Sequence, residues 1–393
     1  MDFDDTPEEA AFRAEARAWL EAHARLKEPD GSDRLMMQRT DPSHVERCRA
    51  WQRTLYDGGW AGIAWPKEYG GRGASPIESL IFAQEQAHFD VSTGVFAVAI
   101  GMVGPTLIAH GSDQQKERYL EPMLRGDEIW CQLFSEPGAG SDLAGLSTRA
   151  VKDGDEWVVN GQKVWTTGAQ HSDVAILLAR TDTEAPKHEG ITYFLLDMRT
   201  PGIDVRPLRQ INGVAHFNEV FLDDVRLPLD AVVGDVHKGW TVARTTLTSE
   251  RALIGGGFSA GFAPLRGLGG RMGANRDPVT RQRMVEAFIR TELQRYLGLR
   301  MQTALSQGHP LGAEAAVMKL AISHHVSATA DVAMAIEGAL GMLSGDEAPD
   351  AGVWQQQFLT QWSIKIGGGT DQIQRNVIGE RVLGLPREPR IAQ

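Results

Sequence analysis

A change of hydrophobic period part-way along the chain constrains its fold more than any other feature. Up to about residue 130 apolar residues recur at helical spacing. Over about 131–235 they fall into short β-rich runs, and from about 236 the helical spacing returns. In the first block, Thr6-Pro7-Glu8-Glu9 reads as a helix start, with Thr6 as N-cap, Pro7 at the first helical position and Glu9 closing a capping box. Phe12, Ala16, Trp19 and Leu20 then follow at helical spacing. Ser75-Pro76-Ile77-Glu78 repeats the signal. A further helix is predicted to end at His110-Gly111 with Gly111 as a left-handed cap, and Ser112 opens the next with Gln115 three residues on.

In the second block, Glu156–Val159 and Lys163–Thr167 flank Asn160-Gly161, which predicts a hairpin there. Val174–Ala179, Ile191–Asp197, Gly202–Leu208 and Phe217–Leu222 follow as strands. No helical segment separates them, so the block reads as all-β and not as βαβ units. In the third block, Val279–Leu305, Ala313–Leu343, Trp354–Ile366 and about Thr370–Leu383 read as four antiparallel helices of a bundle. The expectation is a mainly α fold with a central β domain: helical domain 1–130, β domain 131–235, four-helix bundle 236–393.

Composition narrows the function classes. Charged residues make up 23% and hydrophobic residues 42%, so the chain is globular and not disordered. The net charge of −11 with no basic block argues against nucleic acid or an anionic membrane as partner. Cys48 and Cys131 cannot form a disulfide framework and fit a reducing compartment. The acidic start Met1-Asp2-Phe3-Asp4-Asp5 lacks a signal peptide's basic and apolar regions, and the apolar stretch around Gly94–Gly104 is too short to cross a bilayer. A soluble, cytoplasmic protein is expected. No dinucleotide-binding or phosphate-loop glycine pattern occurs, so a nucleotide cofactor would need another cradle. His324 and His325 are adjacent, so one is expected in the core and the other exposed, with no shared metal.

Three segments stand out as candidate sites. Phe134-Ser135-Glu136-Pro137-Gly138-Ala139-Gly140-Ser141-Asp142 lies where the helical and β blocks meet. Its glycines and small hydroxyls let backbone N–H groups approach a polar or phosphate-bearing ligand; an ordinary tight interdomain loop is the alternative. Lys163-Val164-Trp165-Thr166-Thr167-Gly168 could stack on and hydrogen-bond a flat ring, or Trp165 could be a core residue of the sheet. Gly367-Gly368-Gly369-Thr370-Asp371-Gln372 places three glycines before a capping hydroxyl, a candidate anion or cofactor site.

Together these segments resemble the acyl-CoA dehydrogenase family. Glu136–Asp142 is similar to its first signature. Asp371-Gln372-Ile373-Gln374-Arg375-Asn376 with Gly379–Pro386 is similar to its C-terminal one. The resemblance covers essentially the whole chain. It implies FAD as cofactor and a homodimer or homotetramer. In the reaction it implies, a base removes the α-proton of an acyl-CoA while the β-hydride passes to flavin N5, giving the trans-2-enoyl-CoA. An electron-transfer flavoprotein is the implied acceptor. Phe134 and Ser135 would line the isoalloxazine, with Gly140 in the same cofactor loop. Trp165 and Thr167 would stack on the ring and bond it. Ser141 would lie near the cofactor and the pantetheine of CoA. Thr370 and Gln372 would touch the phosphates and adenosine side of FAD, and Gly369 would border the substrate. Arg271 aligns with an arginine that reaches the partner subunit's FAD, although Met272-Gly273-Ala274 departs from the motif that usually follows. The family's Gln-x-x-Gly-Gly, also cross-subunit, reads Glu337-Gly338-Ala339-Leu340-Gly341 here, which leaves the Gly341 backbone as the implied contact.

At the position where many members carry the catalytic glutamate, this chain has Gly368. A minority, resembling isovaleryl-CoA and long-chain acyl-CoA dehydrogenases, carry the base on a C-terminal-domain helix just before an arginine. That position reads Glu250-Arg251 here. Glu250 is therefore the candidate base, Arg251 a candidate for binding CoA, and the Gly368 backbone N–H part of the oxyanion site. Branched or bulky acyl chains are the expected substrates. Three alternatives stand beside this: an FAD-binding partner subunit of a heteromeric acyl-CoA dehydrogenase such as a heterotetramer of sterol side-chain degradation, a flavin monooxygenase on the same fold, or a non-catalytic acyl-CoA binding protein.

Overall fold

The computed structural model describes residues 4–27, 42–255, 262–309 and 314–387. In chain order the helices before the sheet are α1 (Pro7–His23), α2 (Pro42–Asp57), α3 (Pro76–Gln86), a π turn at Ala99–Val103 running into α4 (Gly104–His110), and α5 (Asp113–Arg125). The strands are β1 (Trp130–Leu133), β2 (Arg149–Asp153), β3 (Glu156–Thr167), β4 (Val174–Arg180), β5 (Ile191–Asp197), β6 (Ile203–Leu208) and β7 (Phe217–Pro228). Six helices follow among the described residues: α6 (Gly239–Gly255), α7 (Ala263–Arg271), α8 (Pro278–Ser306), α9 (Glu314–Glu337), α10 (Val353–Ile366) and α11 (Asp371–Val377), the last continued by a π turn at Ile378–Val382. Met1–Phe3 and Ala313 lie outside the described residues. The helix, sheet, helix order is the one expected from the sequence.

By contact the chain divides into two compact units: residues 38–75 with 91–250, and residues 1–37 with 76–90 and 251–393. The first holds the whole sheet, in the order β1-β4-β2-β3-β7-β6 with β5 also on β4. Every pairing is antiparallel except β1 and β2 against β4. One apolar core collects inward residues from most strands, among them Leu133, Trp157, Val159, Leu177, Phe194 and Leu222. In the second unit, Glu85 on α3 is buried and receives Arg13 and Arg17 from α1, at 3.0 and 2.8 Å. Its bundle cores join Leu265, Leu268, Met284, Ala333 and Trp354, and separately Met301, Met318 and Ile322.

Both capping boxes form as the sequence predicts, at Thr6–Glu9 and Ser112–Gln115. The Asn160-Gly161 hairpin does not. Strand β3 runs straight through it, with a register shift against β7 between Val159 and Gly161. Asn160 instead exchanges two 2.9 Å hydrogen bonds with Asp224, whose own φ is +49°. The hairpin turn is one strand earlier, at Gly154-Asp155 between the paired Asp153 and Glu156, with Gly154 at φ +60°. Gly111 is extended (φ −70°, ψ 152°) and not left-handed, because Ser112 must start the next helix directly. Its glycine is required by approach: a Cβ there would sit 2.7 Å from the Leu107 carbonyl oxygen. The sequence reading did not delimit α2, β1, β2 or α7, and it placed Glu250 on a helix without giving the bounds of α6. The final helical segment is a seven-residue α-helix continued by a π turn to Val382, close to the expected bounds.

Candidate active site

The first candidate segment leaves β1 at Phe134 and closes a tight turn, in which Glu136 and Ala139 exchange backbone hydrogen bonds of 3.0 Å. The Glu136 side chain points inward. It accepts from Ser147 N (2.6 Å), Ser147 Oγ (2.8 Å), Thr148 N (2.9 Å) and Lys163 Nζ (2.8 Å). Lys163 on β3 is fully buried and also donates to the Phe134 carbonyl at 3.1 Å. Val164 N donates to Ser135 O at 2.9 Å. Burial alone would raise the Glu136 pKa, but the Lys163 charge and the four hydrogen bonds outweigh it and hold the group at about 2. Burial draws Lys163 down to about 8, partly offset by Glu136, so at neutral pH both are charged. A charge pair this deep is tolerated because its hydrogen bonds are filled. It fixes the Phe134-Ser135 backbone against β3.

Trp165 lies two residues beyond Lys163, in a second register shift of β3 against β7 between Lys163 and Thr166. Its φ is +62°, a conformation that an aromatic residue adopts at a cost. The indole is 60% exposed, its edge against Phe217 at 6.0 Å. Trp165 is thus not a core residue of the sheet. Thr167 is also exposed, while Val164 and Thr166 point inward. Around this face Thr166 Oγ1 and Asn218 Oδ1 are buried with no partner among the described residues. A Cβ at Gly138 or Gly140 would meet nothing within 4 Å, and Ser141 is exposed beside them. An exposed ring on a rigid strand end, an outward hydroxyl and an open small-residue loop fit a flat heteroaromatic cofactor such as a flavin.

Glu250 is on α6, half-buried, in the same compact unit as Phe134, Ser135, Trp165 and Thr167. Arg251 follows it in the helix, and its side chain lies outside the described residues.

In the other unit, the three-glycine turn has a structural explanation for two of its glycines. Gly368 and Gly369 have φ of +65° and +86°, and a Cβ on Gly369 would come within 2.7 Å of Gln374 Nε2. That amide donates to Gly368 O (3.1 Å) and Gly369 O (3.3 Å), bracing the turn from inside. Thr370 caps α11, accepting from Ile373 N, and Gln372 is exposed. Asp371, the first residue of α11, is buried against α9, from which it receives Ser323 Oγ (2.7 Å) and Lys319 Nζ (3.1 Å). Burial raises the Asp371 pKa, but these two donors bring it below the usual range. Of the two adjacent histidines, His325 is buried and His324 is 43% exposed, and no metal-holding cluster occurs among the described residues.

Arg271, at the end of α7, pairs with Asp350 at 2.7 Å, and Trp354 Nε1 donates to the same carboxylate at 2.8 Å. Glu337 at the end of α9 is buried. Its Oε2 accepts from Gln355 Nε2 at 2.7 Å, and its Oε1 has no partner among the described residues. Burial, with the nearby Asp350 charge, pushes Glu337 up to about 7. Gly341 is in the following turn, where a Cβ would meet Met334 Cε at 2.6 Å. The Asp350 carboxylate thus attracts Arg271 and repels negative charge on Glu337.

The sequence reading did not assign roles to Glu136, Lys163, Lys319 or Asp371. A lysine inside a β-rich run was the available signal for the first pair.

Comparison with known proteins is consistent along the whole chain. The family models for the acyl-CoA dehydrogenase N-terminal, middle and C-terminal domains match residues 6–127, 131–225 and 237–383. Acyl-CoA dehydrogenase IpdE1 of Mycobacterium tuberculosis is 39% identical over 386 residues, covering 96% of this chain and 98% of that protein. The solved Tcur3481-Tcur3483 steroid ACAD is 30% identical with a TM-score of 0.81, covering 99% of this chain and 100% of that one. The ChsE4-ChsE5 complex from Mycobacterium tuberculosis is 28% identical with a TM-score of 0.79, covering 99% and 100%.

Proposed function

This chain belongs to the acyl-CoA dehydrogenase family, and on that premise we propose that it oxidises an acyl-CoA thioester to the trans-2-enoyl-CoA, with FAD as cofactor and Glu250 as base. When bound, FAD supplies the acceptor for the β-hydride. The chain's own residues do the rest. The indole of Trp165, the Thr167 hydroxyl and the Phe134-Ser135 backbone hold the flavin ring, with Gly140 and Ser141 in the adjoining loop. Thr370, Gln372, Arg271 and the Gly341 backbone hold the remainder of FAD. The Gly368 N–H donates to the thioester oxygen as it gains enolate charge, Gly369 borders the acyl chain, and Arg251 binds CoA. Glu250 takes the α-proton.

The observation that carries this reading is that Glu250 belongs to the same compact unit as the exposed Trp165 face, while position 368 is a left-handed glycine with no side chain to act as base. The test is Glu250→Gln. The variant is expected to keep its flavin and to be reduced by acyl-CoA at least ~100-fold more slowly. Wild-type reduction in that variant would overturn the assignment.

The missing side chain at Gly368 favours a branched or bulky acyl group, and the similarity to a solved steroid ACAD supports the same class. The domains are assigned as 1–130, 131–235 and 236–393. Cytoplasmic residence and an electron-transfer flavoprotein as acceptor complete the reading. Two buried free cysteines support the first, and no described helix is long and apolar enough to cross a membrane. A homodimer or homotetramer is the assembly proposed. A second reading, a heterotetramer with a partner chain, is favoured by one specific observation: Arg271 is engaged by Asp350 of its own chain. Flavin stoichiometry of the purified protein separates the two. One FAD per chain supports the homo-oligomer, and an empty chain that fills only with a partner supports the heteromer.

A further inference from the structure

Three buried hydroxyls join three separate stretches of the sheet-bearing unit. Tyr193 on β5, Thr246 on α6 and Thr106 on α4 are each fully excluded from solvent. Tyr193 Oη lies 3.1 Å from Thr246 Oγ1, Thr246 Oγ1 lies 2.9 Å from Thr106 Oγ1, and Thr106 donates to the Met102 carbonyl at 2.8 Å. Each hydroxyl has one proton to give. One direction satisfies all of them: Tyr193 to Thr246, Thr246 to Thr106, Thr106 to Met102 O. The chain ends on a carbonyl of the π turn Ala99–Val103. Next to it, His110 Nε2 and Thr245 Oγ1 are 2.8 Å apart, a second tie between α4 and α6. The Tyr193 and Phe134 rings pack edge to face, with centroids 5.9 Å apart and an interplanar angle of 84°. The same hydroxyl cluster thus touches the residue that opens the cofactor loop.

Thr246 and Glu250 are four residues apart on α6, so they share one helix face, one turn above the other. A helix pinned by two side-chain ties on one turn has little freedom to rotate about its axis or slide along it. We propose that Thr246 is a positioning residue for Glu250: its hydroxyl, held between Tyr193 and Thr106, sets the rotation of α6 and so the place of the carboxylate one turn on. The proposal rests on Glu250 being the base. A buried hydroxyl that only filled a gap would need one partner. Besides the Val242 carbonyl of its own helix, at 3.5 Å, Thr246 has partners on two other elements, and in this direction it is the acceptor for the Tyr193 hydroxyl.

The experiment compares Thr246→Val, Thr246→Ser, Tyr193→Phe and Glu250→Gln as flavin-loaded proteins. Valine keeps the shape of threonine but removes the acceptor of Tyr193 and the donor to Thr106, which keeps its own bond to the Met102 carbonyl, and serine keeps the hydroxyl. The first readout needs no substrate: amide hydrogen exchange at residues 246–250. It is expected to quicken about tenfold in Thr246→Val and to stay at the wild-type rate in Thr246→Ser. The second is turnover with whichever of butyryl-CoA, isovaleryl-CoA or a steroid side-chain acyl-CoA bleaches the wild-type flavin. There Thr246→Val should lose roughly 10- to 100-fold in kcat with KM nearly unchanged, because misplacement of a base by an ångström is felt in the chemical step. Thr246→Ser should stay near wild type. If Thr246→Val does not fold, Tyr193→Phe removes one of the two ties, with a smaller loss of the same kind expected. Wild-type exchange and kcat in Thr246→Val, or an equal loss in Thr246→Ser, would overturn the proposal. Turnover by Glu250→Gln would instead remove the base assignment, whatever the threonine variants do.

Discussion

Glu136, in the first family signature, forms a buried ion pair with Lys163 on β3, and the pair is structural. Lys163→Met would leave the Glu136 carboxylate buried without its counter-ion and should cost about 3–5 kcal/mol, read from denaturant unfolding. Adding Glu136→Gln should recover part of that loss. The pair also sets an acid limit. The native pKa of Glu136 is depressed to about 2, below its ordinary value of 4.5. Its contribution is therefore complete above pH 4.5 and is lost as the pH falls toward 2. Glu337 has the opposite sign. Its native pKa is raised from 4.5 to about 7, so the folded protein holds that proton more tightly than the unfolded chain does. Its contribution is present below pH 4.5 and is lost as the pH rises through 7. Glu337→Gln should flatten this slope and stabilise the protein at pH 8 relative to pH 5. A thermal melt series of the two proteins that ran parallel would contradict it. The sequence showed both glutamates within recognisable motifs. It could not show that one pKa is lowered and the other raised, because the first depends on Lys163, 27 residues away, and the second on burial in the fold, with Asp350 adding to it.

At the scale of the element, local rules succeeded where the signal was complete within four residues. The capping boxes at Thr6 and Ser112 are of this kind. They failed where a distant segment decided. Asn160-Gly161 has strong turn chemistry, yet β7 lies along β3 on both sides of it and carries the strand through. Gly161 is needed there for a different reason. A Cβ would fall 2.7 Å from Thr148 Cβ and 2.8 Å from its Cα. Gly161→Ala should therefore destabilise by ~1–3 kcal/mol, since the backbone of Thr148 cannot move aside cheaply. A Gly161→Ala protein as stable as wild type would mean that the two strands can separate locally. The β1 and β2 strands were not recognised because they are short, and β2 is exposed at four of its five residues. Helix α6, which carries Glu250, was not delimited either. Its placement depends on hydroxyls buried against α4 and β5, a pattern with no period to read.

For the whole molecule, the sequence was most informative about order and family and least about assembly. Helix α8 exposes Val285, Phe288, Ile289, Leu293 and Tyr296 at three- and four-residue spacing, an apolar stripe that a lone chain would leave in water. A second copy of the chain covering this stripe is the proposed reason. Ile289→Asp with Leu293→Asp should shift the protein toward monomer in sedimentation, and an unchanged oligomer would place the interface elsewhere. The most direct test of the account is anaerobic addition of straight, branched and steroid side-chain acyl-CoAs to the wild-type and Glu250→Gln proteins, following the visible flavin absorbance. The account predicts equal flavin content in both, bleaching of the wild type by a branched or steroid side-chain thioester, and bleaching at least ~100-fold slower in Glu250→Gln. A flavin that no thioester bleaches in the wild type, or one that bleaches equally fast without the Glu250 carboxylate, would contradict it.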